Sequence, residues 1–284
     1  MINKSVPFYS EGGLQRLLLT ATDGARAEIY AHGAHLTSWI PAAGGERLYL
    51  SRRARFEPGV AIRGGVPVIF PQFAGEGPLA KHGFARALPW ELMSVSQPAH
   101  GPACAVFRLV DTAETWRTWA QAFTAELRVS VGGDALEMTL QIQNTGGTAF
   151  SFTAALHTYL RVAAIEEVRL RGLQGLRYRD TARGATEAVE TQAELRIEGE
   201  VDRIYFDAPA RLELTEPSGG LRIQSSGFRD TVVWNPGAAR AAALHDLDAD
   251  GWRHFLCVEA AAIGVPPQLQ PGQCWSGTQK LLRL

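Results

Sequence analysis

A histidine and a glutamate lie inside two segments that are otherwise apolar. His157 lies in residues 154–160 (AALHTYL), and Glu259 lies in residues 255–261 (FLCVEAA). Burying an unpaired charge is costly, so such a carboxylate needs a partner, a proton or a function. The two residues are therefore a candidate acid/base pair. A core histidine with a satisfied hydrogen bond, and a glutamate in a structural ion pair, are the alternatives, because sequence separation does not show that the two side chains meet.

Two arginines form a second candidate group. Arg63 lies in residues 61–71 (AIRGGVPVIFP), where two glycines allow backbone and ligand to approach closely. Arg86 lies in residues 81–86 (KHGFAR), a cluster of three cationic or potentially cationic side chains beside Phe84 and Trp90. Guanidinium groups bind phosphates and sugar hydroxyls, and the aromatic rings could form an apolar wall. A turn arginine paired with an acid, and an ordinary solvated loop, are the alternatives.

Composition and missing motifs narrow the function classes. The chain has 28 Lys and Arg against 29 Asp and Glu, a net charge of −1, which argues against nucleic acid or an anionic membrane as a partner. The sequence has no GxSxG nucleophile elbow, no phosphate-binding loop and no dinucleotide fingerprint. These absences disfavour the hydrolase and nucleotide-binding classes that use those motifs.

The three cysteines, Cys104, Cys257 and Cys274, are far apart, and no CxxC pair is present. This argues against a disulfide framework and against a zinc site built on thiolates. No apolar stretch approaches the roughly 18 residues of a membrane-spanning helix. We therefore expect a cytoplasmic protein with reduced thiols.

Alternating hydrophobicity predicts the elements that must position these residues. In residues 125–144, apolar side chains alternate with polar ones on both sides of Gly132-Gly133-Asp134, which is typical of an antiparallel hairpin. Similar short runs of alternation recur along the chain, and only short helices look plausible, for instance near residues 114–122. We therefore predict an all-β fold, a large antiparallel sandwich or barrel, as a single domain over residues 1–284.

Six segments, taken in order, resemble the glucose-6-phosphate 1-epimerase (hexose-6-phosphate mutarotase) family of the galactose-mutarotase-like superfamily. They lie between about residue 60 and about residue 260 and read IRGGVPVIFPQF, KHGFARALPW, AALHTYL, VDRIY, VVWNPG and FLCVE. The resemblance implies a large antiparallel β-sandwich with a substrate cleft on its concave face. It also implies a cofactor-free and metal-free isomerase that interconverts the α and β anomers of hexose 6-phosphates, with a sugar phosphate as its small-molecule partner, and we expect a monomer.

The resemblance also assigns roles to individual residues. It implies that His157 and Glu259 are catalytic, and that Arg63, Arg86 and Asp202 bind substrate. In the wider superfamily the histidine that matches His82 also faces the sugar. Position 81 departs from the family pattern, which has Gln or Ala before His-Gly, because here it is Lys81. The role of that lysine is left open.

Anomer exchange needs a base for the anomeric hydroxyl and an acid for the ring oxygen. We expect Glu259 to start ionised and His157 to start protonated, on opposite sides of one cleft, and an anion to bind between Arg63 and Arg86. The alternatives are an aldose 1-epimerase that acts on unphosphorylated sugars and a non-catalytic carbohydrate-binding sandwich. Glycoside hydrolysis fits less well, because it requires two carboxylates that flank one bond.

Overall fold

Antiparallel strands account for nearly all regular structure in the computed structural model, which describes residues 8–11 and 13–284. The strands are β1 (Phe8–Glu11), β2 (Leu14–Thr20), β3 (Arg26–Tyr30), β4 (His35–Ile40), β5 (Val68–Ile69), β6 (Glu91–Ser96), β7 (Ala103–Val110), β8 (Phe123–Gly132), β9 (Ala135–Asn144), β10 (Phe150–Ser151), β11 (Ala154–Leu156), β12 (Tyr159–Arg161), β13 (Arg169–Arg171), β14 (Arg177–Asp180), β15 (Thr186–Val189), β16 (Glu194–Leu195), β17 (Val201–Tyr205), β18 (Arg211–Glu216), β19 (Gly219–Ser226), β20 (Asp230–Asn235), β21 (Phe255–Ala262), β22 (Gln268–Leu269) and β23 (Cys274–Arg283). The α-helices are α1 (Ala113–Thr118) and α2 (Gly237–Ala241), and short 3-10 turns cover Ala85–Ala87, Ile165–Glu167, Thr181–Arg183 and Gly251–His254.

Two large sheets form the sandwich. One has eight strands in the order β15-β14-β17-β20-β21-β11-β5, with β12 also paired to β21, and the other has nine in the order β16-β13-β18-β19-β23-β9-β8-β7-β6. A four-stranded sheet (β1-β2-β3-β4) and a two-stranded sheet (β10-β22) complete the described strands. Among the described residues, no helix is long and apolar enough to cross a lipid bilayer. The predicted all-β antiparallel sandwich is confirmed.

The predicted hairpin forms as expected. β8 and β9 pair in register from Phe123↔Asn144 to Gly132↔Ala135, so Gly133 and Asp134 make the turn. The apolar side chains that alternate along both strands are all buried in the main core. One face of this hairpin therefore faces the main core, and the alternation of apolar and polar residues in the sequence reflects that burial. The helix expected near 114–122 is α1, which ends at Thr118.

Strand β21 lacks this alternation because both of its faces are buried. Val258 and Ala260 point into the main core between the sheets, whereas Cys257 and Ala261 belong to smaller apolar clusters on the opposite face. All eight residues of the strand are buried. A strand covered on both faces reads as a continuous apolar run, and a charged residue on it must therefore face a buried site.

The Gly64-Gly65 pair brings the segment that carries Arg63 close to β4 and to the backbone around Leu50. Gly65 has a φ of +60°, and a Cβ atom there would lie 2.1 Å from the carbonyl oxygen of Leu36. Gly64 forms an isolated bridge with Leu50. The sequence suggested that these glycines admit a ligand, but the close approach is to backbone, so their role is to anchor the Arg63 segment.

Gly65→Ala tests this packing, with Gly59→Ala as the matched control. Gly59 has a φ of +77°, and a Cβ atom added there would have no other atom within 4 Å, so its substitution adds backbone strain alone. That strain costs about 1–2 kcal/mol, and steric overlap at Gly65 should add about 1–3 kcal/mol. We expect Gly65→Ala to have the lower midpoint of urea unfolding, followed by circular dichroism. Equal midpoints would contradict the close approach.

Candidate active site

One cavity of about 360 Å³ is lined by all six residues to which the sequence assigned a role. These residues are Arg63, His82, Arg86, His157, Asp202 and Glu259. Lys81 and Arg240 also line the cavity, so its walls carry four basic side chains besides the histidines. The structure thus brings the candidate acid/base pair and the candidate anion-binding arginines into a single site.

Strand register places His157 next to Glu259. β11 pairs Leu156 with Ala260, and β12 pairs Tyr159 with Cys257, so His157 falls opposite Glu259 in the break between the two short strands. Side chains that are directly opposite in an antiparallel pair lie on the same face of the sheet. The result is a distance of 3.3 Å between His157 Nδ1 and Glu259 Oε1. The two groups are neighbours on one wall, and the expectation that they lie on opposite sides of the cleft is wrong.

The pair is almost completely shielded from water. The Glu259 side chain is 1% exposed and the His157 side chain 10%. Burial raises the pKa of Glu259 well above its usual range and lowers that of His157 well below it; nearby His82, Arg86 and Arg63 lower the latter further. In the protein by itself these directions favour a protonated Glu259 and a neutral His157, opposite to the starting states expected from the sequence.

A buried glutamine from the opposite sheet holds the two strands that carry this pair. Gln279, on β23, accepts a hydrogen bond of 2.5 Å from the Thr158 hydroxyl and donates one of 3.0 Å to the Val258 carbonyl. Thr158 immediately follows His157, and Val258 immediately precedes Glu259. A single side chain therefore fixes the backbone beside both members of the pair.

Arg63 is held in place by an acid and a phenol. Its guanidinium lies 3.1 Å from Asp246 Oδ2 and donates a 3.0 Å hydrogen bond to the Tyr159 hydroxyl. The Tyr159 ring in turn stacks on His157, with centroids 4.9 Å apart and an interplanar angle of 12°. Arg63 is thus rigidly oriented toward the cavity, and Tyr159 links it to the imidazole of His157.

The segment around Lys81 supplies further polar groups. Arg86 donates a 2.9 Å hydrogen bond to the backbone carbonyl of Lys81. Burial, together with the positive charge of Arg240, lowers the pKa of Lys81. The backbone N–H of Ala74 donates to His82 Nδ1, and burial lowers the pKa of His82 to about 3. His82 is therefore neutral with its proton on Nε2, and can act as a hydrogen-bond donor.

The apolar wall differs from the one that the sequence suggested. Trp90 is buried in the main core, where its indole donates to the Ala85 carbonyl, and Phe84 packs against the same core. Phe73 and Trp234 line the cavity instead. The prediction of Phe84 or Trp90 as a ligand wall is wrong, because both belong to a segment that turns its aromatic residues inward.

Sequence reasoning missed several residues of this site. Tyr159 and Trp234 stand in the quoted motifs LHTYL and VVWNPG, and the period of two places Tyr159 on the same face as His157. β17 pairs Asp202 with Trp234 of β20, so the side chains of these two residues lie on the same face of the sheet. Asp246 lies in a loop far along the chain from Arg63 and gave no signal.

The chain is similar to known proteins in both sequence and structure. The Aldose 1-epimerase family matches residues 15–282. A protein of Cenchrus ciliaris, provisionally named a glucose-6-phosphate 1-epimerase, is 38% identical over an alignment of 275 residues that covers 93% of this chain and 83% of that protein. An Escherichia coli K12 protein with the same provisional name is 37% identical over an alignment of 268 residues that covers 92% of this chain and 88% of that protein. A crystal structure from Salmonella typhimurium, provisionally described as a mutarotase, superposes with a TM-score of 0.90 at 29% identity and covers 98% of this chain and 97% of its own.

The cationic wall leads to a prediction about inorganic phosphate. Arg86→Gln removes one guanidinium from the cavity, and a hydrogen bond to a charged group contributes about 1.5–3 kcal/mol. We expect the Kd for phosphate, measured by isothermal titration calorimetry, to rise by roughly tenfold to a hundredfold. Arg55→Gln, which alters an exposed arginine paired with Glu57, should leave the Kd unchanged. An unchanged Kd in Arg86→Gln would contradict the anion-binding role.

Proposed function

Because the chain belongs to the aldose 1-epimerase family, we propose that it interconverts the α and β anomers of hexose 6-phosphates, with glucose 6-phosphate as a substrate. The observation that carries the proposal is the His157–Glu259 pair, 3.3 Å apart, in a cavity that Arg63, Arg86 and Lys81 make cationic. The provisional names of the relatives from Cenchrus ciliaris and Escherichia coli support the phosphorylated substrate.

Ring opening and closure need one proton donor and one proton acceptor. The acceptor removes the proton of the anomeric hydroxyl, the donor protonates the ring oxygen, and the bond between C1 and the ring oxygen breaks to give the open-chain aldehyde. Rotation about C1–C2 and reclosure by the reverse transfers give the other anomer. Both oxygens are bonded to C1, so two neighbouring side chains such as His157 and Glu259 can serve both. Each well-placed acid or base contributes about 10²–10⁴-fold.

The substrate phosphate helps to set the protonation of the pair. Arg63 and Arg86 are positive charges that add to the effect of burial in lowering the pKa of His157. A phosphate dianion bound to them cancels part of that charge and so favours the protonated form of His157. When the proton of the pair lies on His157, Glu259 acts as the base and His157 as the acid. The phosphate contributes to catalysis as well as to binding in this scheme.

The remaining polar groups orient the sugar. Asp202 is a partly buried carboxylate whose pKa burial raises, and it accepts hydrogen bonds from sugar hydroxyls. His82 donates from Nε2 to another hydroxyl, and Trp234 offers an apolar face next to His157. Together they fix which ring atoms face the catalytic pair, a positioning effect that governs how often the reacting atoms are aligned.

The catalytic assignment is tested with His157→Asn and Glu259→Gln. Each variant removes one of the two proton-transferring groups while nearly preserving side-chain size, so we expect kcat to fall at least about a hundredfold. Exchange NMR of glucose 6-phosphate anomers measures the rate, and phosphate binding by calorimetry verifies that the cavity is intact. His100→Asn and Glu137→Gln, both on the surface, serve as controls. Near-normal exchange in either site variant would remove that residue from the mechanism.

Substrate selectivity tests the role of phosphate separately. Arg86→Gln should lower kcat/KM for glucose 6-phosphate by roughly tenfold to a hundredfold, because a charge-assisted hydrogen bond to the phosphate is lost. Unphosphorylated glucose has no such contact, so its kcat/KM should change much less. Exchange NMR with both sugars, with Arg55→Gln as control, measures the ratio. Equal losses for the two sugars would instead support an aldose 1-epimerase of unphosphorylated substrates.

A further inference from the structure

Cys257 joins the candidate catalytic pair to form a cluster of possible metal ligands. The ligand atoms of His157, Cys257 and Glu259 all lie within 4.8 Å of one another. All three residues are buried, and the proposed acid/base chemistry makes no use of the thiol. The cluster lies at the floor of the cavity, to which His157 and Glu259 contribute directly.

Strand register fixes this cluster. Cys257 and Glu259 are two residues apart on β21 and therefore point to the same face. Cys257 is paired with Tyr159, two residues after His157, so the imidazole faces the same region from the neighbouring strand. The three side chains thus project from the centre of a sheet, and rigid elements of this kind hold ligands more accurately than loops do.

Two of the potential donor atoms lack hydrogen-bond partners. Among the described residues, His157 Nδ1 and Glu259 Oε2 are buried and form no hydrogen bond, although Nδ1 lies 3.3 Å from Oε1 of the same glutamate. Buried polar atoms without partners are costly and call for an explanation. A cation that accepts their lone pairs would provide one.

The donor set selects the chemical class of the cation. Imidazole nitrogen, thiolate sulfur and carboxylate oxygen together suit Zn²⁺, whereas Mg²⁺ and Ca²⁺ prefer oxygen ligands alone. Zinc–ligand bonds of about 2.0–2.3 Å place tetrahedral ligands roughly 3.5 Å apart. The Nδ1–Oε1 separation of 3.3 Å already meets this spacing, and the other separations, none above 4.8 Å, have to shorten through side-chain rotation by no more than about 1.3 Å.

We propose that one Zn²⁺ ion binds to His157 Nδ1, Cys257 Sγ and the Glu259 carboxylate, with water as the fourth ligand, and that it inhibits the enzyme reversibly. On binding, the Cys257 thiol and the Glu259 carboxylic acid each release one proton to solvent, so that both coordinate the ion as anions. The two negative ligands balance the charge of the ion, so the neighbouring arginines face a centre with no net charge. Only the inhibition rests on the proposed function, because Zn²⁺ occupies the two groups that transfer protons.

Cobalt reports the site without any need for activity. Co²⁺ added to the metal-free wild-type protein should give a thiolate-to-cobalt charge-transfer band that Zn²⁺ removes by competition. Cys104→Ala and Cys274→Ala are the matched controls, since each removes one of the other two cysteines, and both should keep the band. Cys257→Ala should lack it. A band that persists in Cys257→Ala would overturn the proposal, as would its absence from the wild type.

Inhibition is then measured by exchange NMR of glucose 6-phosphate anomers. Zn²⁺ should inhibit the wild type and both control variants, and EDTA should restore activity. Cys257→Ala should stay active and need at least about tenfold more Zn²⁺ for half inhibition. Equal inhibition of Cys257→Ala would overturn the three-ligand site.

If Cys257→Ala does not fold, His157→Asn and Glu259→Gln replace it in the cobalt measurement, where each should lose or strongly weaken the band. If the wild type gives the cobalt band but shows no anomer exchange when it is metal-free, the epimerase function is refuted and the metal site is supported.

Discussion

The backbone pairing between β21 and the broken strand β11–β12 is the constraint on which the site depends. It sets His157 opposite Glu259 and Tyr159 opposite Cys257, and so determines which side chains share the buried face. A shift of this register by one residue would send Glu259 into the main core and Val258 into the cavity, because successive side chains alternate between faces. The relative positions of His157 and Glu259 therefore depend on the main-chain hydrogen bonds between these strands.

The opposite sheet reinforces that pairing with a polar contact inside an apolar core. Gln279 is fully buried, yet its side-chain amide forms hydrogen bonds with the Thr158 hydroxyl and the Val258 carbonyl. Such a contact is stabilising only when every polar atom has a partner, and it then specifies one arrangement of the strands. The nine-stranded sheet thus stabilises, through Gln279, the break between β11 and β12 in which His157 lies.

The sequence predicts the individual strands better than it predicts which strands pair with one another. Alternation revealed the β8–β9 hairpin because one of its faces contacts water, while β21, covered on both faces, showed its importance only through Glu259 inside an apolar run. No periodicity could report that His157 lies opposite Glu259, since pairing between distant strands leaves no local trace. Asp246 stayed hidden for the same reason, and the effect of burial on the pKa values of the pair could not be foreseen because reference pKa values apply to groups in water.

The near-complete burial of the His157–Glu259 pair also affects how the protein exchanges protons with its surroundings. In the proposed cycle the pair gives one proton to the sugar and takes one back, so it holds the same number before and after each ring opening. Turnover then draws nothing from the buffer and needs no relay to the surface. In that cycle the pair exchanges protons only with the sugar, so the rate of anomer exchange would not depend on the buffering capacity of the solution.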